Sequence, residues 1–293
     1  MSVKARRKKE VRRLLSSPPT TIRHDSGLYT VSLRTSQRIS WALRHNYSRI
    51  GTKMQGLNFA ELKNVLSPDR LWGYQTNNTT ASDEEVTALY LWNISLCEAF
   101  YPVLNCLEIA LRNSLHNAIS TKYGTPLWFS MQPPVLKQRE QAEISVATAK
   151  LPAHRKPPSQ PLLPGRIIAE LPFGFWGALF HRTYVQVFWP DLLRPVFPYM
   201  PPRGRTPKEL FLRISDILKL RNRIFHYEPI WRDQALQRYH YQLIKTISWI
   251  SPTLRDTVFS MDRFTEVLRL GPTHYRLMLE EYLHTKQAGT TTN

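Results

Sequence analysis

The chain has 293 residues, room for one large domain or two small ones, and 42% of them are hydrophobic, enough for a real core and against wholesale disorder. Its two cysteines, Cys97 and Cys106, form no CxxC pair and no zinc spacing, which argues against a secreted disulfide framework and a structural zinc site. The formal net charge is +18. The block from Lys4 to Arg13 holds seven basic residues and one acid; without it, 33 basic residues still face 21 acidic ones, or +12. The excess therefore runs through the body, and such a field attracts polyanions. RNA or DNA is the first candidate, an anionic membrane surface the second, and a basic protein with no anionic ligand the plain alternative.

Residues 1–25 read as a disordered basic tail ending in Ser16-Ser17-Pro18-Pro19. No apolar h-region comes after the basic start, so a signal peptide is not expected. The remainder, 26–290, reads as a single all-helical domain. A weak helix is signalled around Arg34–Arg44, and 51–78 reads as loops around one helical turn near 59–65. Ser82 with Glu85 fits a capping box. Apolar residues then recur at helical spacing through Leu89, Trp92, Leu96, Phe100, Val103, Leu107, Leu111 and Leu115. Pro102 is expected to kink this helix or split it, and Gly124 to stop it.

Seven prolines fall within 132–165, which reads as an excursion from the core carrying a short exposed helix near 135–148. Residues 167–189 read as buried helix and 190–202 as a turn-rich connector. The stretch 171–180 is the richest in apolar residues, yet only about half the length needed to cross a bilayer, so no membrane insertion is expected. Thr206, Pro207 and Glu209 open the next helix. Pro229 closes it, since the residue before a proline is pushed out of helical geometry. Further helices are expected at 233–250, 262–268 and 273–284.

The informative segment is Leu220-Arg221-Asn222-Arg223-Ile224-Phe225-His226-Tyr227-Glu228-Pro229. Leu210, Ile214, Ile217 and Leu218 mark an apolar face, and steps of three and four lead from it to Arg221 and Phe225. A guanidinium on a core stripe needs an internal carboxylate or a cleft open to an anion. His226 lies five residues on, about 140° around an ideal helix. The two converge only if the last turn is distorted ahead of Pro229 or the cleft is wide. Otherwise Arg221 sits in a buried ion pair and His226 interacts with the helix dipole.

Arg-Asn-x-x-x-His near the end of a late helix resembles the RX4–6H motif of HEPN-domain ribonucleases. The chain is more closely similar to the bacterial Abi (abortive infection) family, a HEPN branch. The likeness is carried by Leu107–Asn113, Tyr123-Gly124 with Trp128, Leu171–Trp176 and Leu220–Ile230, and spans roughly 58–250. The resemblance implies an all-α, HEPN-like helical bundle with additional helices and the proline-rich excursion. It implies metal-independent RNA cleavage without a cofactor. His226 would be general base or acid at the ribose 2′-hydroxyl. Arg221 would hold the scissile phosphate, and Asn222 would orient the histidine or the phosphate. A homodimer with the cleft at its interface is implied as well.

Glu108, Arg112 and Asn113 would support this site. Glu108 either forms an i,i+4 surface pair with Arg112 or faces the motif helix and pairs with Arg221 or holds His226. His116, four residues after Arg112, reads as structural rather than as a second Arg–His site. Trp128, Trp176, Trp189, Phe173 and Phe175 could stack RNA bases but read more readily as core.

Three functions are compatible with these residues. The first is a cytoplasmic endoribonuclease acting as a toxin or antiphage abortive-infection effector, silenced by an antitoxin that is either protein or RNA. The second is a non-catalytic RNA-binding HEPN scaffold. The third, a membrane-surface protein using its basic tail, ranks last because the body is also basic and the N-terminal block lacks an apolar face.

Overall fold

The structure is a computed structural model, and it describes residues 23–24, 27–28, 58–75, 81–151, 163–203 and 206–289, with side chains only between 58 and 281. The chain divides into two compact units, Met1–Leu57 and Asn58–Asn293. In the first, strands β1 (Arg23–His24) and β2 (Gly27–Leu28) pair antiparallel. The rest of the expected basic tail and the weak helix near Arg34–Arg44 lie outside the described residues.

Asn58–Asn293 is all-α among its described residues. Its helices are α1 (Phe59–Leu66), α2 (Pro68–Trp72), α3 (Asp83–Tyr123), α4 (Gln138–Lys150), α5 (Pro164–Glu170), α6 (Phe173–Ala178), α7 (Val185–Val196), α8 (Pro207–Phe225), α9 (Leu236–Ile250), α10 (Pro252–Phe259) and α11 (Phe264–Gly289). The axis is α3, 41 residues long. Ser82 and Glu85 form the reciprocal capping box, and Gly124 closes the helix in left-handed conformation at φ 68°. Leu96, Phe100, Val103, Leu107, Leu111, Leu115 and Ile119 run down one side and are fully buried. Helices α7, α9, α10 and α11 pack around them.

That burial explains why Pro102 does not split α3. An internal proline costs about 3 kcal/mol. Phe100 and Val103 anchor the helix in the core on both sides of it. By length and composition α3 is long and apolar enough to cross a membrane. Within this fold it supplies the core.

The connector expected at 190–202 is corrected. Helix α7 continues through Pro190 and Pro195 to Val196. Phe188, Trp189, Leu192 and Val196 recur at helical spacing and are buried, so tertiary packing holds the helix past its prolines. The helix foreseen at 135–148 forms as α4, but one face of it is covered. Ile144 and Ala147 are buried, and the Tyr184 hydroxyl donates to buried Glu140 at 2.6 Å. Residues 152–162 of the proline-rich stretch lie outside the described residues. The single buried helix expected over 167–189 is instead broken into α5, α6 and the start of α7.

Thr206 caps α8 by accepting from the Glu209 N–H at 3.2 Å, with Pro207 at the first helical position. Helix α8 packs on α6, α7 and α9. With Leu218 in this rotamer, its approach to α6 leaves room for no side chain at Gly177: a Cβ there would stand 2.3 Å from Leu218 Cδ1. The two last expected helices form as α11, broken at Gly271 (φ 61°, ψ −176°) just before Pro272. Helix α10, opened by Ser251 capping, carried no separate expectation.

Candidate functional site

The site is built where side chains from the end of α8 meet side chains from the middle of α3. The buried face of α8 runs Leu210, Ile214, Ile217, Leu220, Ile224. This corrects the expected stripe, which continued through Arg221 and Phe225. Those two residues stand beside the buried face, with the Arg221 side chain 27% exposed and Phe225 solvent-facing. Arg221 borders the core rather than interrupting it.

Arg221 is held loosely. Its Nε lies 3.8 Å from Glu108 Oε2, and its guanidinium carbon 4.3 Å from the Phe225 ring centroid. Its Nη1 reaches Asn222 Oδ1 at 3.5 Å, and its buried Nε has no hydrogen-bond partner among the described residues. A guanidinium carries five N–H donors, so most of them are unspent here. Glu108 thus pairs across helices with Arg221, in place of the i,i+4 partner Arg112. Arg112 Nε instead donates to Asn113 Oδ1 at 3.2 Å.

His226 is the C-terminal cap of α8 and is exposed. Its N–H bonds Asn222 O at 2.8 Å, Tyr227 N–H bonds Ile224 O at 3.1 Å, and Glu228 N–H bonds Arg223 O at 2.9 Å. This is the Schellman pattern, with Tyr227 in the left-handed position at φ 60° where glycine is usual. The distortion expected ahead of Pro229 is therefore present. It turns the chain sharply. It does not join His226 to Arg221, for no hydrogen bond, ion pair or ring contact links the His226 imidazole to Arg221, Asn222 or Glu108. The structure brings Glu108, Arg221 and Asn222 together, pairs Arg112 with Asn113, and leaves His226 facing solvent one residue beyond Phe225.

The chain from Tyr227 to Asp233 is firmly tied. Arg70 Nη1 donates to Tyr227 O at 2.5 Å. Arg223 Nη1 donates to Asp233 Oδ2 at 2.5 Å and its Nη2 to Pro229 O at 2.7 Å. Buried Asn93 of α3 accepts from Ile230 N–H (2.7 Å) and Trp231 N–H (3.2 Å) and donates to Tyr74 Oη (3.0 Å). Burial pushes the Tyr74 hydroxyl up to about 12, with smaller effects from Cys97, Tyr90 and Arg70. Burial likewise pushes the Cys97 thiol up to about 11, against the Arg223 charge. Sequence reading missed Asn93, although a signal existed: it sits between Trp92 and Leu96 on the apolar run, where a polar residue needs partners.

Among the described residues, no group of three or more His, Cys, Asp or Glu side chains is placed to hold a metal ion. His116 is buried and accepts a hydrogen bond from Trp128 Nε1 at 3.2 Å, so it belongs to the core. Trp128, Trp176, Trp189, Phe173 and Phe175 are all at most 1% exposed and are core as well. Comparison with known proteins returned no match from any family model, curated protein or solved structure.

Proposed function

We propose that this chain is a metal-independent, HEPN-type endoribonuclease of the cytoplasm, acting as a toxin or antiphage abortive-infection effector of the Abi kind. The observation that carries the proposal is Arg221: a partly exposed guanidinium at the end of a late helix, with most of its donors free and the exposed imidazole of His226 five residues on. Arg221 is suited to grip a scissile phosphate and to offset charge developing on it. His226 is suited to take the 2′-hydroxyl proton near neutral pH. Asn222, beside the guanidinium, completes the polar edge. The body-wide positive charge supports RNA as the polyanion.

Among the described residues, His226 has no side-chain partner within its own protomer. A homodimer with two-fold symmetry would set the α8 ends of two copies against each other and assemble the cleft from both. An antitoxin, protein or RNA, would act by covering this edge. One face of α3, from Leu96 to Ile119, is buried in the core, which supports a reading without membrane insertion.

The test is incubation of the purified protein with total cellular RNA in EDTA, alongside Arg221→Ala and His226→Ala, with mapping of the cleaved ends. Cleavage is expected from the native protein and from neither variant. Full cleavage by His226→Ala would overturn the site. The lack of contact between the two side chains favours one alternative, a non-catalytic RNA-binding HEPN scaffold. It predicts salt-dependent RNA binding with no cleaved ends at all.

A further inference from the structure

Beside the Arg221 edge lies a groove of about 720 Å³ between α2, α3 and the turn after α8. Its walls are unusual for a soluble surface. Ile94, Tyr101, Phe225, Tyr227 and Met261 all line it, and each is between 40% and 73% exposed. Scattered apolar side chains on a surface need no explanation, but a contiguous set lining one depression does. Two guanidinium groups accompany them. The Arg70 guanidinium carbon lies 6.0 Å from the Tyr227 ring centroid, and Arg263 stands at the rim, 3.3 Å from the one lining carboxylate, Glu98. Phe225 connects the groove to the motif, touching Tyr101 on one side (centroids 6.1 Å apart) and the Arg221 guanidinium on the other.

Tyr227 is the telling residue. A non-glycine residue in left-handed conformation is strained. Its ring is 73% exposed, so packing does not offset that strain. The backbone is nevertheless pinned by Arg70 and by the Schellman bonds. Strain that the surrounding structure enforces on an exposed side chain belongs with ligand contact more than with stability.

We infer that this groove is a base-stacking platform for single-stranded RNA. Bases lie on the rings of Tyr101, Phe225 and Tyr227, and the backbone is steered by Arg70 and Arg263 towards Arg221. Aromatic rings interleaved with cations are what an unpaired strand needs: every base has a π-face, and every linkage a charge. A second protein copy would cover the same apolar area without needing a rim of guanidinium groups. The inference rests on the RNA reading of the Arg221 edge, and it adds that the chain selects unpaired strands.

The test uses the full chain carrying His226→Ala, so that nothing is cleaved, and a short oligoribonucleotide containing 2-aminopurine, whose fluorescence is quenched on stacking. Tyr227→Gly removes the ring and relieves the left-handed strain together. A merely structural Tyr227 would leave RNA affinity alone. We expect instead an unchanged or raised melting temperature, with a dissociation constant about tenfold weaker and quenching lost. Tyr227→Phe keeps native binding, and a duplex of the same sequence binds more weakly than the single strand.

Native affinity in both Tyr227→Gly and Phe225→Leu would overturn the platform. So would variants that lose self-association while keeping RNA affinity, since the groove would then be a contact between copies. The two proposals fail separately. Cleavage that needs Arg221 and His226 but ignores Tyr227 removes the platform and keeps the nuclease. Quenching that needs Tyr227, without any cleavage, keeps the platform and removes the nuclease.

Discussion

Asn93 Oδ1 accepts the backbone N–H of Ile230 at 2.7 Å, joining residues 137 positions apart in the chain. Both are buried. The same oxygen takes the Trp231 N–H, so one amide of α3 holds the segment that aims the end of α8. Asn93→Leu would strand two backbone donors and the Tyr74 hydroxyl. At about 1–3 kcal/mol per unsatisfied buried group, a loss of about 3 kcal/mol or more is expected. Urea denaturation would show it as a lower midpoint with an unchanged slope. A loss below about 1 kcal/mol would mean that water replaces the amide.

Gly177 faces Leu218 so closely that a methyl group can enter only if the Leu218 side chain swings aside. Gly177→Ala is expected to cost about 1–3 kcal/mol by overpacking. Adding Leu218→Ala should recover part of that, although Leu218→Ala alone destabilises. The coupling in this double-mutant cycle measures the α6–α8 contact directly. Additive losses would show that the helices simply move apart.

Glu108 and Arg221 are both partly exposed, 3.8 Å apart, and share no hydrogen bond. Such a pair contributes at most about 1 kcal/mol to stability. Glu108→Gln should therefore leave the melting temperature within about 2 °C. It removes a negative charge beside a proposed phosphate site, so RNA binding should tighten by about two- to fivefold and depend more steeply on salt. Weaker RNA binding would mean that the carboxylate positions the guanidinium instead of competing with the phosphate.

His116 accepts from Trp128 in the core, and burial lowers its pKa. The folded protein therefore favours the neutral ring, which keeps Nδ1 free to accept. With the folded value below the unfolded one, near 6.5, the unfolded chain binds more protons between the two. Stability from this group is complete above about pH 6.5 and falls as the pH drops through the folded value. His116→Asn, which retains an acceptor that does not titrate there, should flatten that part of a melting-temperature profile. An unchanged slope would assign the acid sensitivity to other groups.

Much of the helical framework can be read locally. Ser82 with Glu85, Thr206 with Pro207, Gly124, and Gly271-Pro272 start or stop helices by hydrogen bonds and torsions within a few residues, so no distant contact is needed to find them. The apolar recurrence from Leu89 to Leu115 marks the face of α3 for the same reason. Local signals failed where long-range packing outweighed them: α7 runs through Pro190 because four large side chains on it are buried by other helices, and α4 has a covered face because Tyr184 and its neighbours lie against it.

The Arg221–His226 segment divides in the same way. Sequence alone determined that a basic, all-helical chain ends a late helix with Arg221, Asn222 and His226 ahead of Pro229. Local propensity, spacing and charge are properties of neighbouring residues. Only the tertiary structure decided that the buried face passes through Leu220 and Ile224 and leaves Arg221 at its edge. It also decided that Glu108 reaches Arg221 on another helix instead of Arg112 four residues away, and that Phe225 meets Tyr101 of α3. These outcomes depend on how α8 is set against its neighbours α6, α7 and α9, and that placement is fixed by the whole packed core rather than by any one segment.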